Sequence, residues 1–221
     1  MVILDDDTYV SAKNIALGTT PRSQIANDFA TWAASNHAIE IIDAQLHESE
    51  PPSKYGYTLR MIIANTQDYQ KTNLSPWKRN EQLLTEMAEQ YLVLAAGQSD
   101  TASIRPADLF VVCVDFSQEA MTEANWRATK EFGLEVKRKH PAVWDVISEF
   151  YCSVVFYFHE TDIIVHEDSG LSQALRNEYY SILKTHDDLN LFSKDNICLK
   201  FDSKENVDRN YAGSLFYYSR G

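Results

Sequence analysis

The sequence predicts an α+β fold: a mixed β-sheet with helices packed on it, in a single globular domain spanning residues 1–221. Three observations carry that expectation. Residues 150–159 (Phe-Tyr-Cys-Ser-Val-Val-Phe-Tyr-Phe-His) and 109–114 (Leu-Phe-Val-Val-Cys-Val) are short, β-branched or aromatic, and almost continuously apolar. Such runs suit strands covered on both faces. Residues 55–64 instead alternate, with Tyr55, Tyr57, Leu59, Met61 and Ile63 in one phase, as a strand does with period two. Helical stripes separate these runs, so the chain from Tyr55 to Phe158 reads β-α-β-α-β. That order favours parallel strands joined by right-handed crossovers, with antiparallel hairpins at the edges. A hydrophobic content of 44% is enough for a core, and 7 Gly and 6 Pro leave no linker to divide the chain.

Along the chain, residues 2–4 and 15–17 are short apolar pieces that read as edge strands. Thr20-Pro21 reads as an N-cap followed by proline at the first helical position, opening a helix striped by Ile25, Phe29, Trp32 and Ala33. Residues 38–46 and 55–64, joined by a polar loop holding Pro51-Pro52, form an antiparallel hairpin. Ser75-Pro76 opens a second helix by the same device. Its core face is Leu84, Met87, Ala88, Tyr91 and Ala95, and Gly97 ends it. Residues 108–116 form a strand, after which Ser117 caps a third helix bearing Met121, Ala124, Ala128, Phe132 and Val136. Gly133 weakens that helix and Pro141 stops it. Residues 141–149 read as a short helix, 160–162 as a turn and 163–166 as a returning strand. Ser169 or Ser172 starts the last long helix, with Leu171, Leu175, Tyr179, Ile182 and Leu183 on one side. Residues 189–192, 197–201 and 214–218 read as hairpin-like strands. No internal repeat is evident.

The 32 acidic and 20 basic residues give a net charge of −12, which repels phosphate backbones and favours solubility or a basic partner. The one basic run, Lys137, Arg138, Lys139 and His140, closes a helix, where cations complement the dipole. Cys113, Cys152 and Cys198 match no metal spacing and read as buried, reduced thiols. The acidic start, Met-Val-Ile-Leu-Asp-Asp-Asp, is unlike a signal peptide, and no apolar run reaches the ~20 residues of a membrane span. A cytoplasmic setting is expected.

If the three central strands are parallel, their carboxyl ends bring Asn65 and Thr66, Asp115 and Ser117, and His159 and Glu160 to one edge of the sheet. Ligands favour that edge. A carboxylate and an imidazole in reach could orient and act as a general base, with Ser117 as nucleophile or anion ligand. Strand ends are polar for structural reasons too, and Ser117 is already explained as a cap. His159 and His166, with Glu160, Glu167 and Asp168 beside them, permit a metal chemically, but seven residues is an odd spacing that opposes two side chains on a strand. The tail, with Phe216-Tyr217-Tyr218, has the aromatics interfaces favour, although a terminal strand accounts for it.

Two functional expectations follow. The first is a non-enzymatic, acidic protein-binding domain, with the profile of a bacterial immunity-type or inhibitor protein acting on a basic partner, and with no cofactor. The alternative is a small hydrolase or transferase using Asp115, Ser117, His159 and Glu160, in one version metal-dependent.

Overall fold

The strand-like stretches around residues 60 and 155 lie at the centres of two different sheets, and the run at 109–114 lies at an edge of the first. The computed structural model describes residues 5–49, 52–75, 77–97, 101 and 103–220. The α+β class holds, with helices packed on small sheets. The chain forms two compact units, Met1–Glu119 and Ala120–Gly221.

In the first unit, helices α1 (Asp6–Ala16) and α2 (Gln24–His37) precede strands β1 (Ile41–Glu48) and β2 (Tyr57–Ile63). Then come α3 (Thr66–Lys71), a ribbon of β3 (Asn73–Ser75) and β4 (Lys78–Arg79), α4 (Glu81–Ala95) and β5 (Leu109–Asp115). β2 is central, antiparallel to β1 and parallel to β5, with Ile63 opposite Asp115. One sheet face buries Leu59, Met61, Ile63 and Val111 against Phe29 and Ala33 of α2 and Leu84, Met87 and Tyr91 of α4. Ile62 and Val114, in the other phase of their strands, are buried as well.

The second unit follows from α5 (Phe116–Lys139), whose first turn lies in the first unit. Its elements are β6 (Val143–Glu149), β7 (Cys152–Tyr157), α6 (Glu160–Asp168), α7 (Leu171–His186), β8 (Cys198–Ser203), α8 (Lys204–Asn210) and α9 (Leu215–Tyr218). β7 is central, antiparallel to β6 and parallel to β8. Val155 and Tyr157 enter a core with Phe132, Val136, Leu175 and Tyr179. Val154 and Phe156 enter another with Val207, Trp144 and Tyr218. This strand is apolar in both phases because both of its faces are covered.

One plan, α-β-β-α-α-β-α, runs from α2 to α5 and again from α5 to α8, with α5 closing the first copy and opening the second and with α1 and α9 outside it, and the match reaches single residues. Both first strands carry a register shift near their start, between Ile41 and Asp43 and between Val143 and Asp145. In each, the aspartate Oδ1 accepts the N–H of the next residue, Ala44 or Val146, at 2.9 Å. The central strands end at Ile63 and Tyr157, and two residues later Asn65 and His159 begin α3 and α6. The third strands end at Asp115 and Ser203, whose side chains accept from Gln118 N and Asn206 N of the following helices. Tyr91 meets Phe29 edge-on at 5.4 Å, as Tyr179 meets Phe132 at 5.3 Å. Tyr91 also precedes Asp115 by as many residues as Tyr179 precedes Ser203. Matched positions keep burial rather than identity: Met87 answers Leu175, and Ala95 answers Leu183. Hence the sequence shows no repeat while the fold does. The β3–β4 ribbon belongs to the first unit alone.

Several expected elements are replaced. The β-α-β-α-β segment is shared between two sheets, with β2 and β5 in one and β7 in the other. Residues 15–17 end or follow helix α1, which Asp5 caps through Thr8 N at 2.8 Å; residues 2–4 lie outside the described residues. α2 starts at the Ser23 cap rather than at Thr20-Pro21, and α4 at Asn80, with Ser75 inside β3 and Pro76 outside the described residues. Asp115, not Ser117, caps α5. Residues 143–149 are strand rather than helix. The bulge breaks their alternation, so Val143 and Val146 face one core while Trp144 and Ile147 face the other. Residues 160–168 are helix rather than turn and strand, because the acids at 160 and 162 fill its first turn. Residues 189–192 form no strand, and 215–218 are helical. Cys152 and Cys198 form a disulfide between paired β7 and β8 and are not reduced thiols; Cys113 is free.

Candidate functional site

β5 turns into α5 at Asp115, which caps the helix, and that geometry collects polar groups. Asp115 Oδ1 accepts from Ser117 Oγ at 2.7 Å and from Gln118 N at 3.2 Å, and Thr66 Oγ1 lies 3.3 Å from Ser117 Oγ. Asp115 and Ser117 are buried, and Asp115 Oδ2 has no partner among the described residues. Burial, then the Asp115 carboxylate, hold Glu119 above its ordinary 4.5. Asn65 serves instead as the cap of α3, accepting from Asp68 N at 2.9 Å.

The second unit gathers a different cluster at its equivalent strand ends. His159 Nδ1 lies 2.9 Å from Glu205 Oε1, Glu160 N donates to Glu205 Oε2 at 2.9 Å, and Arg209 pairs with Glu160. Glu205 raises the His159 pKa above 6.5, and the Glu160 amide, then His159, hold Glu205 below 4.5. All four side chains are solvated, so the cluster reads as a tie between α6 and α8. Of the four predicted site residues, Asp115 meets Ser117 and His159 adjoins Glu160, each pair inside its own unit. The helical form of α6 puts His159 and His166 two turns apart, about 10 Å along the axis, too far to share one metal. Among the described residues, no group of three or more His, Cys, Asp or Glu is placed to hold a metal ion.

Other groupings had no sequence signal of their own. Asn125, fully buried on α5, donates through Nδ2 to Ser148 Oγ, Phe150 O and Cys152 O at 2.8–2.9 Å. Its Oδ1 accepts from Ser153 Oγ at 3.0 Å and from Tyr179 Oη. This amide clamps the β6–β7 turn, where Phe150 holds a φ of +52° that a bulky residue adopts only under constraint. Tyr157 Oη, Ser172 Oγ and both ring nitrogens of His166 are buried without hydrogen-bond partners among the described residues. The first-unit positions matched to Tyr157 and Ser172, Ile63 and Leu84, are apolar.

The outer helices differ most in charge. α2 and α4 expose Asp28, Glu81, Glu86 and Glu89 and carry no Lys or Arg. Their counterparts α5 and α7 carry Arg127, Lys130, Lys137, Arg138, Lys139, Arg176 and Lys184 against Glu119, Glu123, Glu131, Glu135 and Glu178. The contrast lies between helices that hold equivalent places in the fold, not between consecutive stretches of the chain.

Among the described residues, no helix is long and apolar enough to cross a membrane. The chain matches no protein-family model, no curated protein and no solved structure.

Proposed function

We propose that the protein is a non-enzymatic binding module for a basic protein partner, in the manner of an immunity or inhibitor protein. The observation that carries this reading is the α2–α4 surface, whose four exposed carboxylates face solvent with no Lys or Arg on either helix. Among the described residues Glu86 pairs with His37 at 3.4 Å and Glu81 with Arg79 at 3.8 Å. Such a field steers a cationic partner and fixes its orientation more than it adds raw affinity. The reading includes a cytoplasmic setting; the Cys152–Cys198 bond weighs against that part, since disulfides persist in oxidising compartments.

Capture of proteins on the immobilised full chain at low salt tests the proposal. A cationic protein should be retained, its binding should weaken steeply as salt rises, and the double reversal Glu86→Lys with Glu89→Lys should weaken it about ten-fold or more. Equal retention by the double variant, or retention of no cationic protein, would overturn it. A hydrolase or transferase reading rests on the 2.7 Å bond from Ser117 to Asp115 and the unpartnered Oδ2 beside it. Helix capping accounts for that pair without chemistry, which ranks the reading second.

A further inference from the structure

The outer surface of α5 and the edge of the second sheet enclose a groove of about 390 Å³. Along one wall Trp126, Lys130, Gly133, Leu134 and Lys137 recur at helical intervals, and the other wall is Asp145, Val146 and Ser148 of β6. Trp126 is 57% and Leu134 72% exposed, large apolar side chains left in water on a helix whose opposite side is core. Among the described residues β6 pairs with β7 alone, so no other strand lies along its outer edge. The Val146 N–H on that strand is occupied by the carboxylate of Asp145, the device a protein uses to blunt an edge. Gly133, in mid-helix, brings no side chain into the groove; a Cβ there would meet Val146 Cβ at 3.4 Å.

We propose that this groove takes an extended segment of a partner protein that adds as a fourth strand along β6, alternating apolar and acidic side chains. A helix lying beside a free sheet edge is a setting for strand addition: main-chain hydrogen bonds bind, and side-chain pockets select. The apolar side chains rest on Trp126 and Leu134. The acidic preference follows from the cations of the wall: Lys130 lies over the Trp126 ring at 5.8 Å, and Lys137 reaches Asp145 at 3.0 Å. An incoming carboxylate takes over Lys137 as Asp145 gives way with the edge it guards. This site lies in the second unit and selects charge opposite to that of the α2–α4 surface, so its test stands apart from that of the proposed function.

Random linear peptides displayed on phage, panned against the immobilised full chain, provide the probe. Enriched peptides should alternate apolar with acidic residues, and synthetic copies should bind wild type while slowing hydrogen exchange at the Ser148 amide. Gly133→Leu, which fills the groove, should weaken them about ten-fold or more. Lys130→Glu with Lys137→Glu, solvent-facing changes, should do the same and decides the matter alone if the leucine variant does not fold. Absence of enrichment, enrichment of basic peptides, or equal binding to the charge-reversed chain would overturn the proposal.

Discussion

Asp115 and Ser203 hold equivalent places, yet one is a buried carboxylate and the other a hydroxyl. The hydroxyl suffices to cap α8, so half of the Asp115 carboxylate is surplus to the fold, and its Oδ2 stands without a partner among the described residues. Asp115→Ser should therefore change stability by less than about 0.5 kcal/mol, whereas Asp115→Ala should cost about 1–2 kcal/mol, read by chemical denaturation. Asn125 is the opposite case, with no surplus: its removal leaves the Phe150 and Cys152 carbonyls unsatisfied beneath a strained turn. Asn125→Ala should cost about 2–4 kcal/mol in the same experiment. Neither role could be read from the sequence. A lone Asn on a helix and an Asp at a strand end have many uses, and only the chain brought back beside them selects one.

Among the elements, α6 shows how local composition misleads. Ile163, Ile164 and Val165 favour a strand, but the acids of the first turn and Gly170 at φ +79° set a helix and its junction to α7. Its start is tied to α8 by His159 and Glu205, and that tie depends on pH. The contribution of His159 is complete below 6.5 and is lost as pH rises through its raised value. The contribution of Glu205 is complete above 4.5 and is lost as pH falls through its lowered value. The tie is therefore fullest from 4.5 to 6.5. An NMR titration should place His159 above 6.5, and Glu205→Gln should return it toward that value; an unchanged titration would show that the imidazole does not depend on this carboxylate.

For the molecule as a whole, one strand-and-helix plan is used twice and charged in two ways. The first unit keeps an apolar core at Leu59, Ile63 and Leu84, where the second places Ser153, Tyr157 and Ser172. The second unit is also cross-linked by Cys152–Cys198, 46 residues apart, a closure worth about 4 kcal/mol on chain-entropy grounds. The acidic surface of α2–α4 and the lysine-lined groove of α5 are the corresponding difference outside. The salt dependence expected at the first and the acidic peptide expected at the second are two consequences of that asymmetry.

The sequence by itself determined the α+β class, the apolar strands around residues 60, 111 and 155, and the buried stripes of α4, α5 and α7. Each of these is a local pattern whose period or composition has one cheap way to be buried. The tertiary structure decided what depends on partners distant in the chain. It divided the strands between two sheets, made residues 143–149 a bulged strand, and joined two cysteines that share no local spacing. It also assigned Asp115 and Ser117 to the first unit and His159 and Glu160 to the second. The repeat stayed hidden for the same reason: packing conserves which positions are buried, and many different side chains satisfy it.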